Sequence, residues 1–165
     1  MSTITILENK EIEQKTLRIA YQIYETLGDD EDLILAGISK NGFIFAQKIG
    51  KSLEKISETR VALCEVFIVK TNLLNPITTS ISKENYTNKN IVLIDDVLNT
   101  GTTLIYGVKH FLEVPTKKIK TAVLVDRNHK KYPVKSDFKG ISLSTSLKEH
   151  VHVVFENDKS YAYLT

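Results

Sequence analysis

Asp95, Asp96, Thr100, Gly101, Thr102 and Thr103 crowd two carboxylates and three hydroxyls into one short stretch. A hydroxyl-rich turn that opens a helix offers unpaired backbone N–H groups and the positive end of the helix dipole. Gly101 lets the backbone turn tightly and approach a ligand. Such a turn suits a phosphate monoester. The two acids repel phosphate, so they suit a ribose diol or a Mg²⁺ ion that carries further phosphate. Ser39-Lys40-Asn41-Gly42 forms a second small polar group, with one cation and a glycine. Alone it reads equally as an ordinary polar turn.

The elements around these residues explain the placement. Ile91-Val92-Leu93-Ile94 is apolar throughout and rich in β-branched side chains, which predicts a strand buried on both faces and ending at the acids. Leu104 onward reads as a helix to Glu113. In a parallel α/β sheet, ligands sit beyond the carboxyl ends of strands. Residues 33–38 give an earlier buried strand, followed by the Ser39-Lys40-Asn41-Gly42 turn and a helix from Phe43 to about Glu58. Upstream, residues 3–7 suit a short strand. Ile12, Ile19, Ile23 and Leu27 give residues 8–27 an apolar helical face, with Asn9 as N-cap and Gly28 as the stop. Residues 61–69 and 121–125 add strands. Residues 70–89 form a long polar stretch around Pro76. Val151, Val153 and Phe155 alternate as an amphipathic strand, and residues 161–164 pair back on it. The order predicts an α/β fold: a doubly wound parallel sheet with a small β-rich C-terminal cap, as one domain over residues 1–165.

Composition narrows the classes. The chain has 165 residues, 42% of them hydrophobic and 25% charged, which are values of a globular domain with a full core. A net charge of +2 gives no general push toward nucleic acid. The single cysteine, Cys64, lies in an apolar run and reads as a buried small hydrophobe. No apolar run approaches a membrane span, and the N-terminus lacks a basic region before a hydrophobic stretch. A soluble, cytoplasmic protein without a membrane partner is expected. The acidic run Asp29-Asp30-Glu31-Asp32 reads as a solvated turn rather than a metal site.

Residues 92–104 resemble the thirteen-residue signature of type I phosphoribosyltransferases: four apolar residues, two acids, then a T-G-x-T turn. The resemblance implies that residues 95–103, namely Asp95, Asp96, Val97, Leu98, Asn99, Thr100, Gly101, Thr102 and Thr103, bind phosphoribosyl pyrophosphate (PRPP). The 5′-phosphate would sit on the turn and the ribose hydroxyls on the acids. Asp95 and Asp96 would stabilise positive charge growing at the anomeric carbon, and would hold Mg²⁺ directly or through the sugar. Ser39, Lys40, Asn41 and Gly42 would form the pyrophosphate loop. Residues 70–89 would supply a flexible lid that excludes water.

Asp95-Asp96-Val97-Leu98, the run from Ala122 through Val125-Asp126-Arg127-Asn128-His129, Ser144-Thr145-Ser146 and Arg18-Ile19-Ala20 resemble the bifunctional pyrimidine-operon attenuator and uracil phosphoribosyltransferase family more closely. That likeness implies transfer of the phosphoribosyl group to a nucleobase, with uracil favoured, in pyrimidine nucleotide metabolism, by a homodimer or higher homo-oligomer. Arg127, Phe138, Lys139 and Val151 are the base-side candidates. Phe138 would stack on a flat ring and Val151 would offer backbone groups. His129 is placed on the surface. The chain departs from the family's pattern in three places. Lys40-Asn41 stands for Thr-Arg, Asn99 and Thr102 stand for Tyr and Arg, and the lid stretch Lys70-Thr71-Asn72-Leu73 holds no arginine. The alternative is a non-catalytic sensor of PRPP or a nucleotide that regulates RNA or a protein partner.

Overall fold

The computed structural model describes residues 2–28 and 32–165. In chain order the elements are β1 (Ile4–Leu7), α1 (Asn9–Leu27), β2 (Asp32–Ile38), α2 (Ser39–Ile56), β3 (Arg60–Phe67), β4 (Thr78–Thr79) and α3 (Lys83–Tyr86). There follow β5 (Asn90–Leu98), α4 (Thr102–Phe111), β6 (Lys118–Asp126), β7 (Phe138–Ser142), β8 (Val151–Val154) and β9 (Tyr161–Leu164).

Six strands form one sheet in the order β4-β3-β2-β5-β6-β7, parallel except for β4. Residues 33–38, 91–95 and 121–126 are buried throughout, as continuous apolar runs require when helices cover both faces. Alternate side chains divide between two cores. Leu33, Leu35, Val92 and Ile94 pack with Ile19 of α1 and with Phe45 and Ile49 of α2. Ile34, Ala36, Ile91 and Leu93 pack with Tyr86 of α3 and with Leu104 and Phe111 of α4. Each of the larger aliphatic and phenylalanine side chains contributes roughly 1.5–3 kcal/mol by leaving water.

Connectivity makes a crevice. From β2 the chain runs through α2 to β3 on one side. From β5 it runs through α4 to β6 on the other, with the two helices in opposite cores. The carboxyl ends of β2 and β5 are therefore a topological switch point, where doubly wound sheets bind ligands.

The sheet matches the expected doubly wound core. The cap differs in one respect: the N-terminal β1 joins it, giving an antiparallel sheet in the order β1-β9-β8. Leu7, Val153 and Ala162 seat this sheet on the core of α1 and α2.

Several boundaries differ from expectation. Helix α1 is capped by Glu8, in a reciprocal capping box with Glu11, rather than by Asn9. The Asn9 side chain instead bonds Glu13 and accepts from the Ser160 N–H. Residues 39–42 are the first turn of α2, not a separate loop. Strand β5 continues through both acids to Leu98, because Val97 and Leu98 still pair with β6. Residues 70–89 contain β4 and α3. Strand β7, unassigned from sequence, extends the sheet beyond β6. Of the acidic run, residues 29–31 lie outside the described residues, and Asp32 is paired with Arg60 and Lys89. Cys64 is buried, as expected. Among the described residues, no helix is long and apolar enough to cross a membrane.

Candidate active site

Asp95 and the threonine turn meet in one cavity of about 100 Å³, which residues 97–104, Lys70 and Val123 also line. Gly101 adopts φ 84°, the left-handed region, and its carbonyl accepts from the Ile105 N–H as α4 begins. The Thr100 and Thr102 hydroxyls lie 2.7 Å apart, and Thr100 Oγ1 also accepts from the Thr102 N–H at 3.3 Å. The N–H groups of Thr103 and Leu104 have no intrahelical acceptor, as at any helix start. The Lys131 N–H holds the Thr100 carbonyl at 2.7 Å from outside.

Asp95 is almost fully buried. Its Oδ1 accepts from the Asp96 N–H at 2.9 Å and lies 3.6 Å from Lys70 Nζ. Burial, and then the neighbouring Asp96 charge, hold the Asp95 carboxyl well above the ordinary carboxylate range, against the pull of Lys70. Asp96 is half-buried. Its Oδ1 accepts from the Val97 N–H, and its Oδ2 accepts from Asn41 Nδ2, both at 2.9 Å. Residues 39–42 thus sit directly beside the acids. A Cβ on Gly42 would lie 2.7 Å from the Ile94 carbonyl oxygen, so only glycine permits this approach of α2 to β5. Two helix N-termini converge here, one on each side of two adjacent carboxylates.

The base-side candidates divide. Arg127 is buried, and its guanidinium bonds Asn99 Oδ1 at 2.7 Å, Thr145 Oγ1 at 2.9 Å and the carbonyls of Ser146 and Glu149 at 3.1 and 2.5 Å. It ties the turn after β5 to the segment before β8. Phe138 is buried in the core of α1 and α2, with no ring face open for stacking. Lys139 is exposed, and its carbonyl accepts from Arg18. Val151 is half-buried on the edge strand β8. His129 is half-buried, with Nε2 3.1 Å from Thr145 Oγ1, rather than on the open surface.

Three contacts at the site escaped sequence reasoning. Lys70 is the only residue of the 70–89 stretch lining the cavity, among the described residues. Leu73 and Ile77 lean on the core beside α4. Asp126, at the end of β6, accepts from Ser136 Oγ and the Asn128 N–H and so folds the loop that covers Gly101. The amide of Asn41 faces Asp96, a contact that no local pattern announces.

A family model for the phosphoribosyl transferase domain matches residues 2–159. The chain belongs to that family. It is 32% identical to the bifunctional protein PyrR of Macrococcus caseolyticus, covering 96% of this chain and 97% of that one. It is 31% identical to the PyrR protein of Leuconostoc citreum, over 94% and 93%. Among solved structures, a hypoxanthine-guanine phosphoribosyltransferase of Bacillus anthracis superposes with a TM-score of 0.78, at 17% identity over 99% of this chain and 100% of that one. A hypoxanthine phosphoribosyltransferase of Trypanosoma cruzi gives 0.76, at 17% identity over 96% and 94%. At these identities the two structures establish the shared fold.

The donor set at the acids fits Mg²⁺. It consists of two adjacent carboxylates, oxygen donors too few to close a coordination shell alone. No cluster of three or more acidic, histidine or cysteine side chains capable of holding a metal occurs among the described residues. An ion at Asp95 and Asp96 would therefore complete its shell with water and ligand oxygens.

Proposed function

We propose that this chain transfers the phosphoribosyl group of PRPP to a nucleobase and releases pyrophosphate, with uracil as the base. The observation that carries the reading is the shared cavity of Asp95 and residues 100–103 at the carboxyl end of β5. Residues 100–103 hold the 5′-phosphate with hydroxyls and the N-terminal N–H groups of α4. Asp95 and Asp96 hold the ribose hydroxyls and face the positive charge that develops at the anomeric carbon. The backbone N–H groups of residues 39–42, with Lys40 as the cation of the turn, hold the diphosphate as it leaves. Mg²⁺, when bound, neutralises diphosphate charge and makes it a better leaving group. The base lies against Val151, whose backbone groups stand on the edge of β8 that no strand pairs among the described residues. Uracil follows from the likeness to the pyrimidine-operon family and places the chain in pyrimidine nucleotide metabolism.

The test is incubation with PRPP, Mg²⁺ and each of uracil, guanine and hypoxanthine, with nucleotide and pyrophosphate both measured. UMP with one equivalent of pyrophosphate is expected. No nucleotide from any base refutes the catalytic reading.

One observation favours a second reading: the only cation that residues 70–89 bring to the cavity is Lys70, already 3.6 Å from Asp95. A pocket without a guanidinium for the departing pyrophosphate suits a sensor that binds PRPP and controls an RNA or protein partner. Thermal stabilisation by PRPP without turnover, joined to a salt-sensitive shift of pyrimidine leader RNA, supports that reading.

A further inference from the structure

Asn41 lies in the first turn of α2, where the proposed reaction calls for a diphosphate contact. Its amide is directed elsewhere. Nδ2 donates to Asp96 Oδ2 at 2.9 Å and to the Val153 carbonyl, also at 2.9 Å. Both neighbours are pure acceptors, so the amide nitrogen must face them, and its two N–H groups match them one to one. One side chain thus joins three elements: α2, the acid-bearing β5 and the cap strand β8.

The pairing of β8 explains why it needs such a contact. His150 and Thr165 exchange both backbone hydrogen bonds. In an antiparallel ladder the next pairs alternate, so Val151 and Val153, opposite Leu164 and Ala162, occupy non-hydrogen-bonded positions. Their N–H and C=O groups therefore point away from β9, off the edge of the cap. No strand of the main sheet pairs with that edge among the described residues. The ladder to β9 fixes β8 within the cap, but the apolar contact of Val153 and Ala162 with the core is not directional and does not by itself fix where the cap stands beside the acids. The bond from Asn41 to the Val153 carbonyl is directional. A shift of the cap by one residue's rise would break it, and would carry Val151 about 3.4 Å along the strand direction.

We propose that Asn41 is a positioning residue that sets the register of β8 against the acid pair, and so the distance between the base and the ribose. The inference rests on the phosphoribosyl-transfer reading for its kinetic consequence. Its structural content stands without that reading. Asn41 holds Asp96 from one N–H and the base-side edge from the other, while Lys40 and the backbone of the turn are left for the diphosphate.

The test pairs hydrogen–deuterium exchange with steady-state kinetics on the full chain. Asn41→Ala removes both donors. Asn41→Ser keeps one, too short to reach both acceptors, and disturbs the helix start less, so a folding defect in one variant leaves the other informative. In both, exchange over residues 150–155 is expected to quicken about tenfold, the equivalent of one net hydrogen bond. The KM for the base is expected to rise by a similar factor, and by more than the PRPP concentration giving half-maximal thermal shift. Unchanged exchange over residues 150–155 in the folded variants overturns the proposal. So does a loss confined to PRPP affinity, which would make Asn41 a diphosphate ligand. If the unaltered protein turns over no base, the transfer reading fails, yet faster exchange in the variants still establishes the tie.

Discussion

Gly42→Ala tests the convergence of the two helix starts. The new methyl would stand 2.7 Å from the Ile94 carbonyl oxygen, 3.2 Å from Asp95 Cα and 3.4 Å from Asp95 Oδ1. The two nearest of these atoms are backbone of β5, a central strand held by β2 on one side and β6 on the other. That strand has no room to retreat. The first turn of α2 must withdraw by about 0.7 Å, the difference between 2.7 Å and an ordinary contact of 3.4 Å. Withdrawal strains the 2.9 Å bond from Asn41 to Asp96 and lifts residues 39–42 off the acids. Overpacking of this kind costs about 1–3 kcal/mol, which lowers Tm by roughly 2–10 °C in a domain of this size. Misplacing a catalytic contact by most of an ångström costs on the order of 10–100-fold in kcat/KM. Gly50→Ala is the control on the same helix. Its methyl meets only side chains, the nearest at 3.5 Å, so about 0.5–1 kcal/mol of stabilisation and unchanged kinetics are expected. Thermal denaturation and UMP formation read both variants. A Gly42→Ala protein with unaltered Tm and unaltered kcat/KM would refute the geometry argued for the site.

Asp95→Asn removes a buried carboxyl whose folded-state pKa is raised by burial and by Asp96. The folded state keeps a proton that the unfolded state has released, so stability falls as pH rises from the ordinary carboxylate range toward the raised value. The Asn variant is therefore expected to be more stable than the unaltered protein at neutral pH, by an amount on the order of 1 kcal/mol. That advantage vanishes below about pH 4, where both states of the Asp protein are protonated. PRPP-dependent stabilisation is lost in the same variant, and denaturant titrations from acid to neutral pH measure both effects. Arg127→Lys keeps the charge but loses the planar fork that reaches Asn99, Thr145 and two carbonyls. A loss of about 1–3 kcal/mol in thermal stability is expected, with a raised KM for the base as the segment before β8 loosens.

Local pattern was enough for much of this molecule. Continuous apolar runs such as Ile91-Val92-Leu93-Ile94 announce strands covered on both faces, and the acids and threonines that follow announce an anion site at a strand's end. That information is local, because the chemistry of the turn and the opening of the helix lie within one contiguous stretch. Sequence also predicted the return pairing of residues 161–164 on β8, through alternation alone.

Other features were illegible because they depend on residues far apart in the chain. Phe138 reads as well for stacking as for packing, and only the sheet order shows it facing the core of α1 and α2. Arg127 looks like a ligand until its partners, 18 to 28 residues away, appear around it. Lys70 sits in a polar stretch with no signal, and only the end of β3 brings it to Asp95. Asn41 looked like part of a phosphate turn, and its partners lie 55 and 112 residues downstream. Types and spacing within a segment set what a site can bind, since hydrogen-bonding capacity belongs to each residue. Which groups remain free to bind is settled by distant donors and acceptors that the fold alone brings together.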